Sequence, residues 1–213
     1  MGQRKYGLAE VLLMAFDGAL RGTQRRAAST VISPADSVPE TTGSAPDRQR
    51  SLRYMRVNHA GEVSAQGLYH GQAAVARNAN TQHLLEHAAG EELVHLAWCR
   101  QRLDDLGGRP SRLDAGWYAG AYVLGVLSGL AGDRWSMGFL HETERQVGAH
   151  LEDQLVKLPV VDRKSRAILL QMQRDEARHA ATAQRHGATP LPLAITVVMR
   201  LQALVMKTLA ARL

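Results

Sequence analysis

The sequence of 213 residues contains a single cysteine, Cys99, and only 5% aromatic residues. One cysteine excludes a disulfide framework within the chain and a four-cysteine zinc site, and it suits a reducing cytoplasm. We expect Cys99 to be a small core residue. The scarcity of aromatic residues, beside abundant Ala, Leu, Gly and Val, favours closely packed helices over a β-sandwich.

The sequence also lacks a clear membrane span, a signal peptide and a nucleotide motif. The apolar runs 115–132 and 188–199 are short or end at charged residues, so we expect core-facing or interfacial helices there. The N-terminal stretch is interrupted by Glu10 and Asp17. We find no Gly-rich nucleotide fingerprint, P-loop or nucleophile elbow.

Acidic residues are absent from the end of the chain. The net charge is +6, and five basic residues but no acidic one follow Glu176. They are interleaved with "LPLAITVVMRLQALVMKTLAARL", which has more aliphatic surface than nucleic-acid binding needs. The pattern therefore favours a lipid surface or a hydrophobic partner over nucleic acid.

The chain divides into three regions. Residues 1–20 are typical of a short amphipathic helix, residues 21–50 of a flexible linker rich in Ser, Thr and Pro, and residues 51–213 of an all-α domain. Apolar spacing and Gly–Pro punctuation predict helices over 52–78, 80–106, 114–131, 133–158, 161–187 and 191–212.

Four of these helices carry a glutamate on the stripe that should face the core. The stripes are Met55, Asn58, Glu62, Ala65, Tyr69 and Ala73; Leu85, Ala88, Glu92, His95 and Cys99; Met137, Leu140, Glu144, Val147, Leu151, Leu155 and Leu158; and Leu169, Met172, Glu176, His179 and Ala183. Four buried carboxylates repel one another unless cations compensate them. The order Glu, Glu-x-x-His, Glu, Glu-x-x-His is the ligand set of di-iron and di-manganese carboxylate bundles. The sequence therefore predicts a ferritin-like four-helix bundle with two metal ions.

The order and spacing of the six residues are more specific evidence for a metal site than either Glu-x-x-His pair alone. One Glu-x-x-His pair is weak evidence, but the sequence contains two, and they are its only two. Glu62 precedes Glu92 by 30 residues, and Glu144 precedes Glu176 by 32. Each half of the domain is therefore a helix–turn–helix unit with the same ligand order.

Several residues close in sequence to the predicted metal ligands allow two interpretations. His59 and His141 fit either hydrogen-bond partners of the ligands or ordinary helix residues. His150 lies off the face of Glu144, which favours a surface or substrate-edge role. Tyr69 fits either a core tyrosine or a hydrogen-bond donor near the metals. Glu91 is out of phase with His95, and we expect it to be solvated or paired with a basic neighbour.

The segment "LRYMRVNHAGEVSAQGLYHGQ" resembles the bacterial di-iron demethoxyubiquinone hydroxylases of ubiquinone biosynthesis. The resemblance continues through "EELVHL", "LGVLSGLAGDRWSMGFLHETERQVGAHLEDQL" and "RDEARHAATAQRHGA", and covers roughly residues 50–213. The family often shows two adjacent acids at its lone glutamate, whereas here Arg145 follows Glu144. The resemblance implies metal ligands at six positions: Glu62, Glu92, His95, Glu144, Glu176 and His179.

The resemblance also implies the reaction. The ring of a polyprenyl methoxy-methyl-benzoquinol (3-demethoxyubiquinol) is hydroxylated with O2 and two electrons at a two-iron centre. One oxygen atom enters the ring and the other leaves as water. The implied enzyme is a peripheral protein on the cytoplasmic face of the cell membrane, with lipid and other ubiquinone-biosynthesis proteins as partners and no nucleic acid. The electron donor stays open between a partner reductase and direct reduction by NADH, and no catalytic residue beyond the metal ligands is implied.

Three other functions are compatible with parts of the pattern. A di-iron tRNA-modifying hydroxylase fits the basic charge but not the apolar last helix. A ferritin-like iron store requires cage-forming surfaces, which the apolar helices fit poorly. A membrane-associated helical scaffold without metal would tolerate Glu144→Ala and would purify without iron.

Overall fold

The structure is a computed structural model that describes residues 31–41 and 43–213. Within these residues it contains six α-helices and no strand. The helices are α1 (Ala45–Val75), α2 (Ala79–Asp105), α3 (Asp114–Leu130), α4 (Asp133–Lys157), α5 (Arg163–Arg185) and α6 (Leu193–Ala210). The predicted all-α architecture is confirmed, while the predicted N-terminal helix over residues 1–20 lies outside the described residues.

Helix α1 begins seven residues earlier than the predicted position 52. Ser44 caps it in a capping box with Asp47, and Pro46 occupies the first turn. These residues satisfy the free N–H groups of the first turn and therefore fix the start of the helix inside the predicted linker. The other helix ends lie within three residues of the predicted bounds.

The bundle consists of two helical hairpins, α1 with α2 and α4 with α5. Short connections of three and five residues join the members of each hairpin. An apolar cluster containing Leu103, Leu151 and Leu169 fills one end of the bundle. A second cluster containing Leu85 and Met137 fills the other end. Glutamates and histidines occupy the layer between these two clusters.

Helix α3 packs along α1 at unusually close range. A Cβ added to Gly71 would lie 2.1 Å from the carbonyl oxygen of Tyr122, and one added to Gly125 would lie 2.1 Å from that of Leu68. Only glycine permits two backbones to approach so closely. This contact makes α3 a part of the bundle wall, which agrees with the core-facing one of its two predicted interpretations.

The segment 31–41 lies against the end of the bundle, although it falls within the predicted linker. Ala35 is buried in the same cluster as Leu103. Glu40 forms an ion pair with the buried guanidinium of Arg102 at 2.6 Å, and Asp162 pairs with the same guanidinium at 2.8 Å. The guanidinium therefore ties the segment to the start of α5. The predicted domain boundaries themselves stay a prediction.

Helix α6 is the most exposed helix of the described part of the chain. Only Met199 and Ala210 are buried, and most of its aliphatic side chains face outwards. Among the described residues it is the one helix whose length and apolar composition would allow it to cross a membrane. The structure therefore leaves an apolar helix on the surface, where the sequence predicted a core-facing or interfacial one.

Candidate metal centre

All six predicted ligands lie together in the middle layer of the bundle. Their side chains come from α1, α2, α4 and α5, and every one of the residues is at most 6% exposed. The residues are Glu62, Glu92, His95, Glu144, Glu176 and His179. A cluster of this charge is costly to bury without compensating cations.

The six residues form two overlapping groups that could each hold a metal ion. Glu62 and His95 belong to one group, and Glu144 and His179 belong to the other. Glu92 and Glu176 belong to both, and the ligand atoms of each group lie within 4.8 Å of one another. The two shared glutamates could therefore contribute to both ions, a distinction that the sequence pattern did not make.

Both imidazole rings direct Nδ1 towards the carboxylates. The Nδ1 atom of His95 lies 3.0 Å from Glu92 and 3.4 Å from Glu176. The Nδ1 atom of His179 lies 3.3 Å from Glu92 and 3.4 Å from Glu176. Each ring thus offers the same nitrogen to the shared pair of glutamates.

The outer nitrogen of each ring is held by a carboxylate of the opposite hairpin. The Nε2 atom of His95 lies 3.1 Å from Asp175 on α5, and that of His179 lies 2.8 Å from Glu91 on α2. Such partners orient a ligand ring and raise its basicity. Arg178 joins the two carboxylates, at 2.8 Å from each.

The predicted solvated or basic-paired role of Glu91 is therefore incomplete. A pair with a basic residue was expected, and Arg178 supplies it, but the contact of Glu91 with His179 was not expected. Asp175 was missed altogether. A signal existed in the sequence, because an acid directly precedes the glutamate of both Glu-x-x-His pairs.

The electrostatics of the cluster favour protons on four groups when no metal neutralises it. Burial raises the pKa of Glu62 and of Glu144 well above 4.5, and neighbouring carboxylates add to both shifts. Burial alone lowers the pKa of His95, but hydrogen bonds to Glu176 and Glu92 raise it to about 11. His179 is raised in the same way, against its burial, by Glu144, Glu176 and Glu92. Divalent cations can take the place of these protons.

The donor set fits two hard or borderline divalent cations. Oε1 of Glu92 and Oε2 of Glu176 converge on Nδ1 of His179 at 3.3 and 3.4 Å, but none of these three buried atoms forms a hydrogen bond of regular geometry in the described part of the chain. Buried polar atoms rarely stay unpaired. Four carboxylates with two imidazoles suit iron or manganese better than zinc, which favours closed tetrahedral sites.

Tyr69 lies beside this cluster. Its side chain is fully buried, and its hydroxyl donates a hydrogen bond to Oε1 of Glu144. Burial and the charge of Glu144 raise the pKa of the phenol well above 10, so it stays a donor. Of the two interpretations of Tyr69, the structure therefore favours the hydrogen-bond donor near the ligands.

A cavity of about 700 Å³ opens onto one side of the cluster. Helices α1, α3, α4 and α6 surround the cavity, and all four glutamates of the cluster line its wall. One end of the cavity is apolar and is lined by Leu68, Leu124 and Phe139. The other end contains Asn58 and His150, which places His150 on the wall of the cavity rather than among the six clustered residues.

The remaining residues with two interpretations, and Cys99, are not members of the two groups that could hold a metal ion. His59 is buried and pairs with Asp114 at 3.2 Å, so it joins α1 to the start of α3. His141 bonds to the carbonyl oxygen of Ala180 at 3.0 Å and joins α4 to α5. Cys99 is a core residue in contact with Met172, as predicted.

Comparisons with known proteins point to one family. A family model described as "Ubiquinone biosynthesis protein COQ7" matches residues 49–210. A protein of Xanthomonas euvesicatoria pv. vesicatoria named 3-demethoxyubiquinol 3-hydroxylase is 55% identical over 181 residues, covering 85% of this chain and 83% of the relative. A protein of the same name from Nitrosospira multiformis is 48% identical over 195 residues, covering 92% and 94% of the two chains.

Proposed function

The chain belongs to the COQ7 family of ubiquinone biosynthesis proteins, and on this basis we propose that it hydroxylates the ring of a polyprenyl demethoxyubiquinol with O2. The observation that carries the proposal is the position of the carboxylate–histidine cluster at the wall of a large, mostly apolar cavity. A quinol ring in that cavity lies next to the cluster. This arrangement supports a hydroxylase of the quinol better than an iron store.

We assign two iron ions to the cluster. Glu62 and His95 would hold one ion, Glu144 and His179 would hold the other, and Glu92 and Glu176 would contribute to both. When bound, the ions supply the binding and reduction of O2, which side chains alone cannot provide. Asp175 and Glu91 hold the two imidazoles in place, so the protein's own contribution is to fix the geometry of the ligands.

The polar end of the cavity supports a defined orientation of the ring. Nδ2 of Asn58 donates to Oε1 of Gln154 at 2.8 Å, and Nε2 of Gln154 lies 2.8 Å from Nε2 of His150. An amide nitrogen is a donor, so this nitrogen of His150 accepts and its proton resides on Nδ1. Burial and Lys207 lower the pKa of His150 to about 4, which keeps the ring neutral at pH 7. We assign to this Nδ1–H a hydrogen bond to an oxygen of the quinol ring.

The apolar end of the cavity supports an entry route for the tail. The cavity lies between α3 and α6, which contribute residues such as Leu124 and Met199 to its wall. The outward sides of both helices carry exposed aliphatic chains, which together we call the apolar surface. They are Val123, Leu127 and Leu130 of α3, Leu193, Val197, Val198, Leu201, Leu204, Val205 and Leu209 of α6, and Leu213.

The position of the apolar surface beside the cavity supports peripheral attachment to the membrane, where the quinol can enter from the lipid. We assign the protein to the cytoplasmic face of that membrane. The contact buries exposed aliphatic groups in the bilayer interface without requiring α6 to cross it. Electrons come from NADH directly or through a partner reductase, and other ubiquinone-biosynthesis proteins are the expected neighbours on the membrane.

Quinone profiling of a bacterial strain that lacks its 3-demethoxyubiquinol 3-hydroxylase tests the proposal. Wild-type protein should restore ubiquinone and clear the accumulated demethoxy quinone. Glu144→Ala should not, because it removes a proposed ligand. Glu152→Ala is the matched control, since Glu152 is an exposed glutamate of the same helix. Failure of the wild-type chain to convert the demethoxy quinone would overturn the proposal.

A further inference from the structure

Four arginines gather at one end of the apolar surface, where α3 begins and the chain ends. Nε of Arg56 donates to the carbonyl oxygen of Arg109 at 2.9 Å. The backbone N–H of Arg112 donates to the carbonyl oxygen of Leu213 at 3.2 Å, which places Arg212 next to the same loop. Three segments distant in sequence thus meet at this end of α3, and each of them carries at least one arginine. We call Arg56, Arg109, Arg112 and Arg212 the arginine cluster.

No carboxylate neutralises the arginine cluster in the described part of the chain. The acidic residues nearest to it in sequence are already engaged. The pairs are Asp104–Arg100 at 3.1 Å, Asp105–Arg102 at 3.8 Å and Asp114–His59 at 3.2 Å. Even if a terminal carboxylate at Leu213 offsets one charge, the cluster keeps a net positive charge. It therefore creates a positive potential at this end of the molecule.

The arginine cluster adjoins aliphatic side chains rather than stacking platforms. Leu209 and Leu213 are 36% and 47% exposed at the same end of α6. Trp117, in the first turns of α3, packs against Val57 and Ala60 and is not free to stack on a base. Single-stranded nucleic acid is bound by exposed aromatic rings along a basic groove. Cations at the rim of an aliphatic face are instead typical of a protein that lies on an anionic bilayer.

We propose that the arginine cluster binds the phosphate groups of anionic phospholipids and so holds the apolar surface, with the cavity between α3 and α6, against the membrane. The inference rests on the proposed function in one respect, since that function requires the cavity to face lipid. It adds a lipid preference. An arginine near an anionic surface strengthens binding about fivefold. Arg109, Arg112 and Arg212 should therefore together account for a roughly 100-fold preference for anionic over neutral vesicles. Salt should weaken this preference.

Vesicle co-sedimentation of the full, metal-loaded chain tests this inference. Wild-type protein should bind phosphatidylcholine vesicles that contain phosphatidylglycerol far more tightly than pure phosphatidylcholine vesicles. The triple variant Arg109→Ala, Arg112→Ala, Arg212→Ala should lose this preference. Arg56 is left in place because it ties α1 to the loop.

A second triple variant is the matched control. Arg163, Arg174 and Arg185 are exposed arginines on α5 that form no ion pair with a carboxylate among the described residues. Their replacement by alanine removes the same net charge from a helix that does not border the mouth of the cavity. This variant should keep most of the preference for anionic vesicles.

The inference is wrong if wild-type protein binds both kinds of vesicle equally, or if the two triple variants lose binding to the same extent. Release from the vesicles by millimolar inorganic phosphate would identify a free anion as the ligand, and release by an RNA oligonucleotide would identify nucleic acid. Either outcome would overturn the inference. Hydroxylation of a short-tailed quinol in solution, measured in parallel, should not differ between the cluster variant and wild type. Absence of that activity from wild type would overturn the proposed function and leave the lipid preference standing.

Discussion

Removal of the carboxylate of Asp175 should weaken metal binding although this residue is not a proposed ligand. Its Oδ2 atom lies 3.1 Å from Nε2 of His95, and its side chain is 8% exposed. Asp175→Ala therefore leaves a buried N–H group without its partner and frees the ring to turn. Loss of such a partner typically weakens metal binding about 10- to 100-fold, or roughly 1.4–2.7 kcal/mol. Asp175→Asn keeps an acceptor but loses the charge, so we expect a loss of about tenfold.

Anaerobic calorimetric titration with ferrous or manganous ions measures this effect. Wild-type protein should bind two ions per chain, and Asp175→Ala should weaken chiefly the ion held by Glu62 and His95. Asp104→Ala is the control, because Asp104 is an exposed aspartate whose side chain pairs only with Arg100 among the described residues. Equal affinities of wild type and Asp175→Ala, or an equal loss in the control, would refute this reasoning.

Three further outcomes are expected. Gly125→Ala should lower the midpoint of thermal unfolding, because the added Cβ would lie 2.1 Å from a backbone oxygen. Gly148→Ala is its control: the added Cβ would have no neighbour within 4 Å, so the free energy of unfolding should rise by roughly 0.5–1 kcal/mol. Metal uptake at neutral pH should release protons to an indicator dye, because ligation displaces protons from two histidines and two glutamates of raised pKa. For the same reason the metal affinity should fall as the pH falls. Metal uptake without proton release would contradict these pKa shifts. Arg102→Ala should destabilise the chain by about 3–5 kcal/mol in denaturant unfolding because it strands the buried carboxylate of Asp162, and adding Asp162→Ala should recover part of the loss.

The helices were predictable because their apolar spacing is regular, but the start of α1 was not. Ser44, Pro46 and Asp47 form its first turn, and no apolar stripe precedes them. A search for periodicity therefore assigns them to a Ser- and Pro-rich linker. Their capping signature is local and is satisfied by hydrogen bonds rather than by burial.

The membership of the site was predictable because six buried polar residues can share one layer only if a common ligand compensates their charge. The division of these residues into two groups was not predictable, since it depends on the distance and angle at which α2 and α5 pack. The contact of Asp175 with His95 illustrates this, because it joins residues 80 positions apart across two hairpins. Helical periodicity places a side chain on a face but does not say which side chain meets it from the opposite helix.

Turnover with isotopically labelled O2 tests the central claim most directly. Purified protein loaded with ferrous iron, supplied with a short-tailed demethoxyubiquinol and a reductant, should yield a hydroxylated quinol that carries one labelled oxygen atom. Glu144→Ala should yield none, and Glu152→Ala should match wild type. A product whose new oxygen comes from water, or no product from a chain shown to hold two iron ions, would contradict the assignment of this cluster as the centre that activates O2.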